Sequence, residues 1–254
     1  MAFVLGKSRV KVYVTDQGSH GHHWGPIFGL DERIDAQNCV RAMWDDVRIE
    51  TEIDARYATV RAKYGVFSLL GIQDNEDNDG VSTLFPALYS TKSMPLEITE
   101  VLEWQHVDAI EAQVRGIYRG ILHTVFFATD YLENKKKYLK GGTLNVSLTG
   151  LAYSLDSGPD LSERFSPDFC CFTPHSNAPF EDDYDFTSNL LSVSDVKVKE
   201  DNLKHFEIRL YNGSHASETA NLAVIMNERN IVCSRLNVGD KVSGTLWMQG
   251  RLLR

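Results

Sequence analysis

The sequence predicts a mostly β protein of the α+β class: an N-terminal α+β region over residues 1–92, then two small β-barrel units. Three observations point there. From Leu96 onward, short runs of alternating apolar and polar residues are broken by Gly, Asn and Asp. The same succession of runs occurs over 93–158 and again over 183–254, with a loop of Pro, Ser and Asp at 159–182 between them. Helical spacing is confined to stretches before residue 65 and to the connection at 131–140.

Taken in order, residues 8–15 (SRVKVYVT) put Val10, Val12 and Val14 on one face of a strand. Gly18, Gly21 and Gly25 then punctuate a loop. From Asp31 a helix is expected, because Ala36, Val40, Met43 and Val47 share one face. Residues 47–55 alternate like a strand, yet Ile53, Tyr57, Val60 and Tyr64 fit helical spacing, and a helix over 53–64 is the favoured reading. Residues 74–80 (DNEDNDG) form an acidic loop, and Pro86 and Pro95 bracket the transition to the second part. Strands are expected at 98–104, 110–117, 121–128 and 143–153, and after the loop at 190–198, 206–211, 222–226 and 241–253.

The two halves align without a gap at a shift of 98 residues, which sets Ile98 on Val196, Ile110 on Ile208, Gly141 on Gly239 and Leu148 on Leu246. A pattern and a turn that recur at one period imply an internal duplication. The closing run Val238-Gly239-Asp240-Lys241-Val242-Ser243-Gly244-Thr245-Leu246 resembles the final strands of OB-fold barrels, where a Gly-Asp turn leads into a long curved strand. The resemblance covers about 60 residues of each half. It implies tandem five-stranded barrels, of a kind that binds oligonucleotides, oligosaccharides or other proteins. No functional residue is carried over from it, and fold alone assigns no function.

The formal net charge is −9, from 35 acidic and 26 basic residues, so the average surface repels a phosphate backbone. The opening stretch is interrupted by Lys7, Arg9 and Lys11, unlike a secretory signal, and no run reaches the roughly 18–20 apolar residues of a membrane span. Cys39, Cys170, Cys171 and Cys233 make no C-x-x-C pair and read as reduced thiols in a cytoplasmic protein.

Three segments carry chemistry worth weighing. His20, His22 and His23 lie within four residues among flexible glycines, so their imidazoles can converge on zinc or another divalent metal. No fourth ligand is spaced to join them, and the simpler reading is a contact loop with Trp24 and Phe28 packed inward. The 74–80 loop resembles a calcium loop through Asn75, Asp77, Asp79 and Gly80, but the position that needs a bidentate Glu is Pro86. Tyr131, Lys135, Lys136, Lys137, Tyr138 and Lys140 combine cations with aromatic rings, the combination that holds single-stranded nucleic acid by phosphate contact and base stacking. The competing reading is a solvated helix whose two tyrosines, seven residues apart, pack onto the barrel.

Signatures of catalysis are missing: there is no G-x-S-x-G, no phosphate loop and no H-E-x-x-H. The expectation is therefore a non-catalytic cytoplasmic binding protein with no resident cofactor, contacting another protein through duplicated barrel surfaces. The alternatives are single-stranded nucleic-acid binding through Lys135–Lys140 and a metal-dependent enzyme built on His20–His23. No membrane association is expected.

Overall fold

The computed structural model describes residues 10–18, 20, 23–28, 43–76, 80–159, 166, 168–213 and 219–253. The protein is mostly β, as its alternating runs dictate. The N-terminal part holds β1 (Lys11–Thr15), the short helix α1 (Gly25–Phe28), β2 (Arg48–Glu52), β3 (Tyr57–Tyr64), β4 (Phe67–Asp74) and β5 (Thr83–Leu88). Then come β6 (Met94–Trp104), β7 (Ala112–Tyr118), β8 (Leu122–Ala128), the helix α2 (Tyr131–Lys140) and β9 (Gly142–Ser157). After β10 (Cys171–Pro174) follow β11 (Asp183–Val198), β12 (Asp201–Tyr211), β13 (Ala220–Asn227) and β14 (Lys241–Leu252). The helix expected from Asp31 falls mostly on residues 29–42, outside the described ones.

One expectation is overturned. Residues 57–64 are a strand, not part of a helix over 53–64. Tyr57 through Val60 are all buried, so β3 is covered on both faces. A strand in that position loses its two-residue period, and its apolar residues then fit helical spacing by coincidence. β2 to β5 form an antiparallel four-stranded sheet in sequence order.

The other ten strands form one sheet that closes twice. Pairing runs β6–β7–β8–β14–β9 and back to β6, then β11–β12–β13–β9–β14 and back to β11. Two five-stranded rings therefore share the antiparallel pair β9–β14. Length makes the sharing feasible: β9 has 16 residues and β14 has 12, roughly 40–50 Å of extended chain. The first residues of β9 pair with β6, while Thr149–Leu151 pair with β13. Likewise Lys241–Trp247 pair with β11, while Gln249 and Gly250 pair with β8. Neither half closes a ring from its own strands.

The two rings are wired alike. A shift of 98 residues turns the parallel contact Phe127↔Gln249 into Ile225↔Leu151, and the antiparallel contact Leu148↔Gly250 into Leu246↔Ala152. The pair Gly150↔Met248 maps onto itself and marks the axis between the rings. Gly141 and Gly239, each with positive φ, open the two shared strands. For the first two strands of each ring the shift is 92: Val114↔Phe126 matches Phe206↔Val224, and a bulge at Ile98/Glu100 matches one at Leu190/Ser192. The gap-free alignment is thus off by six residues there, and Ile98 corresponds to Leu190 rather than Val196. The extra residues sit between β12 and β13.

One apolar core fills the rings, from Leu96, Ile98 and Phe126 to Phe206, Ile208 and Leu246. A second packs Phe67, Leu69, Phe85 and Leu88 of the four-stranded sheet onto Phe127, Leu151, Ile225 and Trp247, the outer face of the shared region. Buried Gln249 fixes that docking: its Oε1 accepts from Leu88 N at 3.3 Å and its Nε2 donates to Pro86 O at 2.7 Å.

Candidate functional site

β1 extends the first ring sideways, parallel to β6. Three rows of side chains cross its outer face: Lys11–Glu100–Arg115, Tyr13–Leu102–Gln113 and Thr15–Trp104. Glu100 joins the charges of its row, 3.8 Å from Lys11 Nζ and ion-paired with Arg115. Arg115 also donates to Pro179 O and lies over the Phe180 ring, so residues 178–180 roof the face. Tyr13 meets Phe180 edge-on, with centroids 5.6 Å apart. Between floor and roof is a cleft of about 910 Å³ lined also by Gln17, Gly18, His23 and Asp182.

The chain leaves β1 pressed against Trp104, and only a glycine fits. A Cβ on Gly18 would lie 2.0 Å from the indole Cδ2. That close approach carries His20 into an aromatic box of Phe85, Trp104 and Phe127, with centroids 4.8–5.1 Å away. His20 Nε2 meets Glu111 Oε1 at 2.9 Å, and the hydroxyl of Thr83 donates to the same oxygen at 2.9 Å. A carboxylate only accepts, so toward it His20 donates from Nε2. His23 Nδ1 lies 3.4 Å from His20 Nδ1, and the tautomers of the two rings set which of them donates. His23 stacks on Trp247 at 3.7 Å, and Trp247 Nε1 donates to Asp182 Oδ2 at 3.0 Å. A polar chain thus runs from buried Glu111 to the cleft wall, where His23 and Asp182 emerge.

Asp182 is 5% exposed. Burial pushes its carboxyl up to about 7, against the opposing pull of donors from Gln113 and Trp247. A carboxyl half-protonated near neutrality in the wall of a cleft is a functional candidate on physical grounds. The other enclosed space near these residues, bounded by Glu111, Asp130 and Arg251, is about 20 Å³ and holds no more than one water.

The expected sites fare differently. His20 and His23 do come together, whereas His22 lies outside the described residues. Among the described residues no three His, Cys, Asp or Glu side chains converge on a metal position, and His20 Nε2 is engaged by Glu111. Asp74 of the acidic loop pairs with Arg56 at 2.8 Å, which holds its carboxyl below the usual range, while Asp77 and Asp79 lie outside the described residues.

The base-stacking role of Tyr131 and Tyr138 is corrected. They are 1% and 0% exposed and face each other inside the first ring. Tyr131 donates to Glu103 and Tyr138 to Asp130, each at 2.7 Å. Lys135 is tied to Glu103 at 2.7 Å, while Lys136, Lys137 and Lys140 remain exposed on α2. Lys136, Lys137 and Lys140 therefore face water, whereas Lys135 lies over the Tyr131 ring, 5.6 Å from its centroid.

Sequence reasoning missed Glu111, Asp182 and Trp247. Only Glu111 carried a signal, a charge between the apolar Ile110 and Ala112. Among the described residues no helix is long and apolar enough to cross a membrane. Compared with protein-family models, curated proteins and solved structures, the chain matches none.

Proposed function

We propose that the protein is a non-catalytic binding protein that holds an extended segment of another protein in the cleft beside β1. The observation that carries this reading is β1 itself. It is the terminal strand of its sheet, and its outer edge has no strand partner among the described residues. Val12, Tyr13 and Val14 are 48%, 42% and 57% exposed. An open edge with exposed apolar side chains is a template for an added strand: backbone hydrogen bonds supply affinity and the adjoining cleft supplies selectivity.

The reading includes two OB-like barrels of common origin in a cytoplasmic protein. Supporting it are the five-stranded closure of each ring and the placement of α2 and of a single helical turn at Glu228–Asn230 after the third strand. Second strands contribute to ligand faces in such barrels, and β7 contributes Gln113 and Arg115 here. The thiols of Cys170, Cys171 and Cys233 are free, which suits a reducing compartment.

Selection from a random nonapeptide display library against the intact protein tests the main reading. Extended, β-branched sequences should be enriched, and both Tyr13→Ala and Val14→Lys should weaken their binding at least tenfold. No enrichment, or binding indifferent to both changes, overturns it. A second reading is favoured by one observation, the presence of both Asp182 and His23 in the cleft wall, two titratable side chains that suit acid–base chemistry on a bound ligand. That reading requires turnover of a captured ligand, abolished by Asp182→Asn in protein that still binds it.

A further inference from the structure

We propose that the second ring carries its own acceptor edge, Ser192–Lys197 of β11, for a short extended segment of a partner protein that runs parallel to β11. The claim stands on strand pairing and is independent of the cleft.

The first ring shows what belongs there. Along Met94–Ile98, β6 is paired with the start of β9. Where β9 gives out, β1 takes over the same edge, Lys11–Thr15 against Glu100–Trp104. In the second ring β11 is paired with β14 along Asp183–Asn189, and Leu190 closes onto the turn through Leu190 N→Asp240 O at 2.9 Å and Gly239 N→Leu190 O at 2.7 Å. Beyond that point Ser192–Lys197 pair with β12 on one side. On the other side no strand lies against them among the described residues. The 92-residue correspondence carries Glu100–Trp104 onto Ser192–Val196, and the matching bulges at Ile98/Glu100 and Leu190/Ser192 place both stretches at the same turn of the barrel. The open stretch is therefore the counterpart of the one that β1 fills.

The occupant's chemistry follows from β1. That strand alternates Val10, Val12 and Val14 with longer side chains, and β-branched residues suit a pleated edge. Along the open stretch, exposed Ser192, Ser194 and Asp195 flank half-buried Val193, and half-buried Val196 follows. At its mouth stands Val238, 63% exposed and next to Gly239. A segment of about five residues with alternating β-branched side chains fits it. The β1 of a second copy is a poorer candidate, because five parallel pairs and the seat of Val10 against Gly141 already hold that strand in its own chain.

The test uses the full chain and the peptide VKVYVT, the sequence of residues 10–15. Backbone amides of 192–197 should exchange rapidly on the open side in the free protein, and saturating peptide should slow them at least tenfold. Tyr13→Ala and Val14→Lys should leave that protection unchanged, which separates this site from the cleft. Parallel pairing also fixes a register: Ser192→Cys should form a disulfide with a peptide bearing cysteine at its lysine position, at least tenfold over one bearing it at the terminal threonine. Reversal of that preference overturns the orientation. Amides already protected in the free chain, no protection at millimolar peptide, or protection confined to β1 overturns the proposal. Mass doubling with protection at 192–197 and no added peptide would assign the edge to a second copy and overturn the partner segment.

Discussion

Burial takes the Asp182 carboxyl out of water, and the donors Trp247 Nε1 and Gln113 only partly offset that loss, which is why its pKa stands at about 7. In the unfolded chain the value returns to roughly 3.9. Between those values the folded state keeps a proton that the unfolded state has released, so stability falls as pH rises through this window and levels off above about 7. The drop is on the order of 4 kcal/mol for this group. Asp130, also raised by burial, contributes with the same sign. Urea denaturation from pH 4 to 8 should show the fall in wild-type protein and a much shallower one in Asp182→Asn. Trp247→Phe keeps a ring under His23 but removes a donor from a buried carboxyl, and should cost about 1–3 kcal/mol in the same assay. Gly18→Ala forces a methyl into the Trp104 ring, so either the ring or residues 15–20 must move. Its expected signature is a change in Trp fluorescence with a loss of about 1–3 kcal/mol.

At the scale of elements, α2 shows why a lysine-rich segment misleads. Its polar side chains face water, but the tyrosines decide its place: Tyr138 reaches the Asp130 carboxyl, whose other oxygen accepts from Leu252 N at 2.9 Å and Asn134 Nδ2 at 2.8 Å. Tyr138→Phe should therefore destabilise by about 1–2 kcal/mol, while Lys136→Ala, in the same thermal melts, should lie within about 0.5 kcal/mol of wild type. Strands such as β7 and β12 were legible because one face is less buried than the other and the two-residue period survives, as it does in β7 from Ala112 to Tyr118. β3 was not, since it is covered on both sides, and β4 and β5 carried no expectation for the same reason: both are buried nearly throughout. The candidate site was legible only at His20 and His23. Glu111, Asp182 and Trp247 lie far apart in sequence and meet through ring closure, which no local pattern encodes.

For the molecule as a whole, the shared pair β9–β14 makes the halves interdependent. A protease site inserted within 160–165 and cut in the folded protein should leave both pieces together on size-exclusion chromatography, with one thermal transition. Separation into two folded pieces would contradict the ring pairing. Interdependence also orders events in time. Strands β6 to β9 can assemble early during synthesis, but the first ring lacks its fifth strand until Gln249 and Gly250 reach Phe127 and Ala128, more than 120 residues later. Until then β8 stays unpaired on that side, and the face around Phe127 and Leu151 lacks Trp247. A nascent chain in that state is slow to complete and exposes a sticky edge, so chaperone dependence should track translation of the last ten residues of β14 rather than of the barrel strands before it.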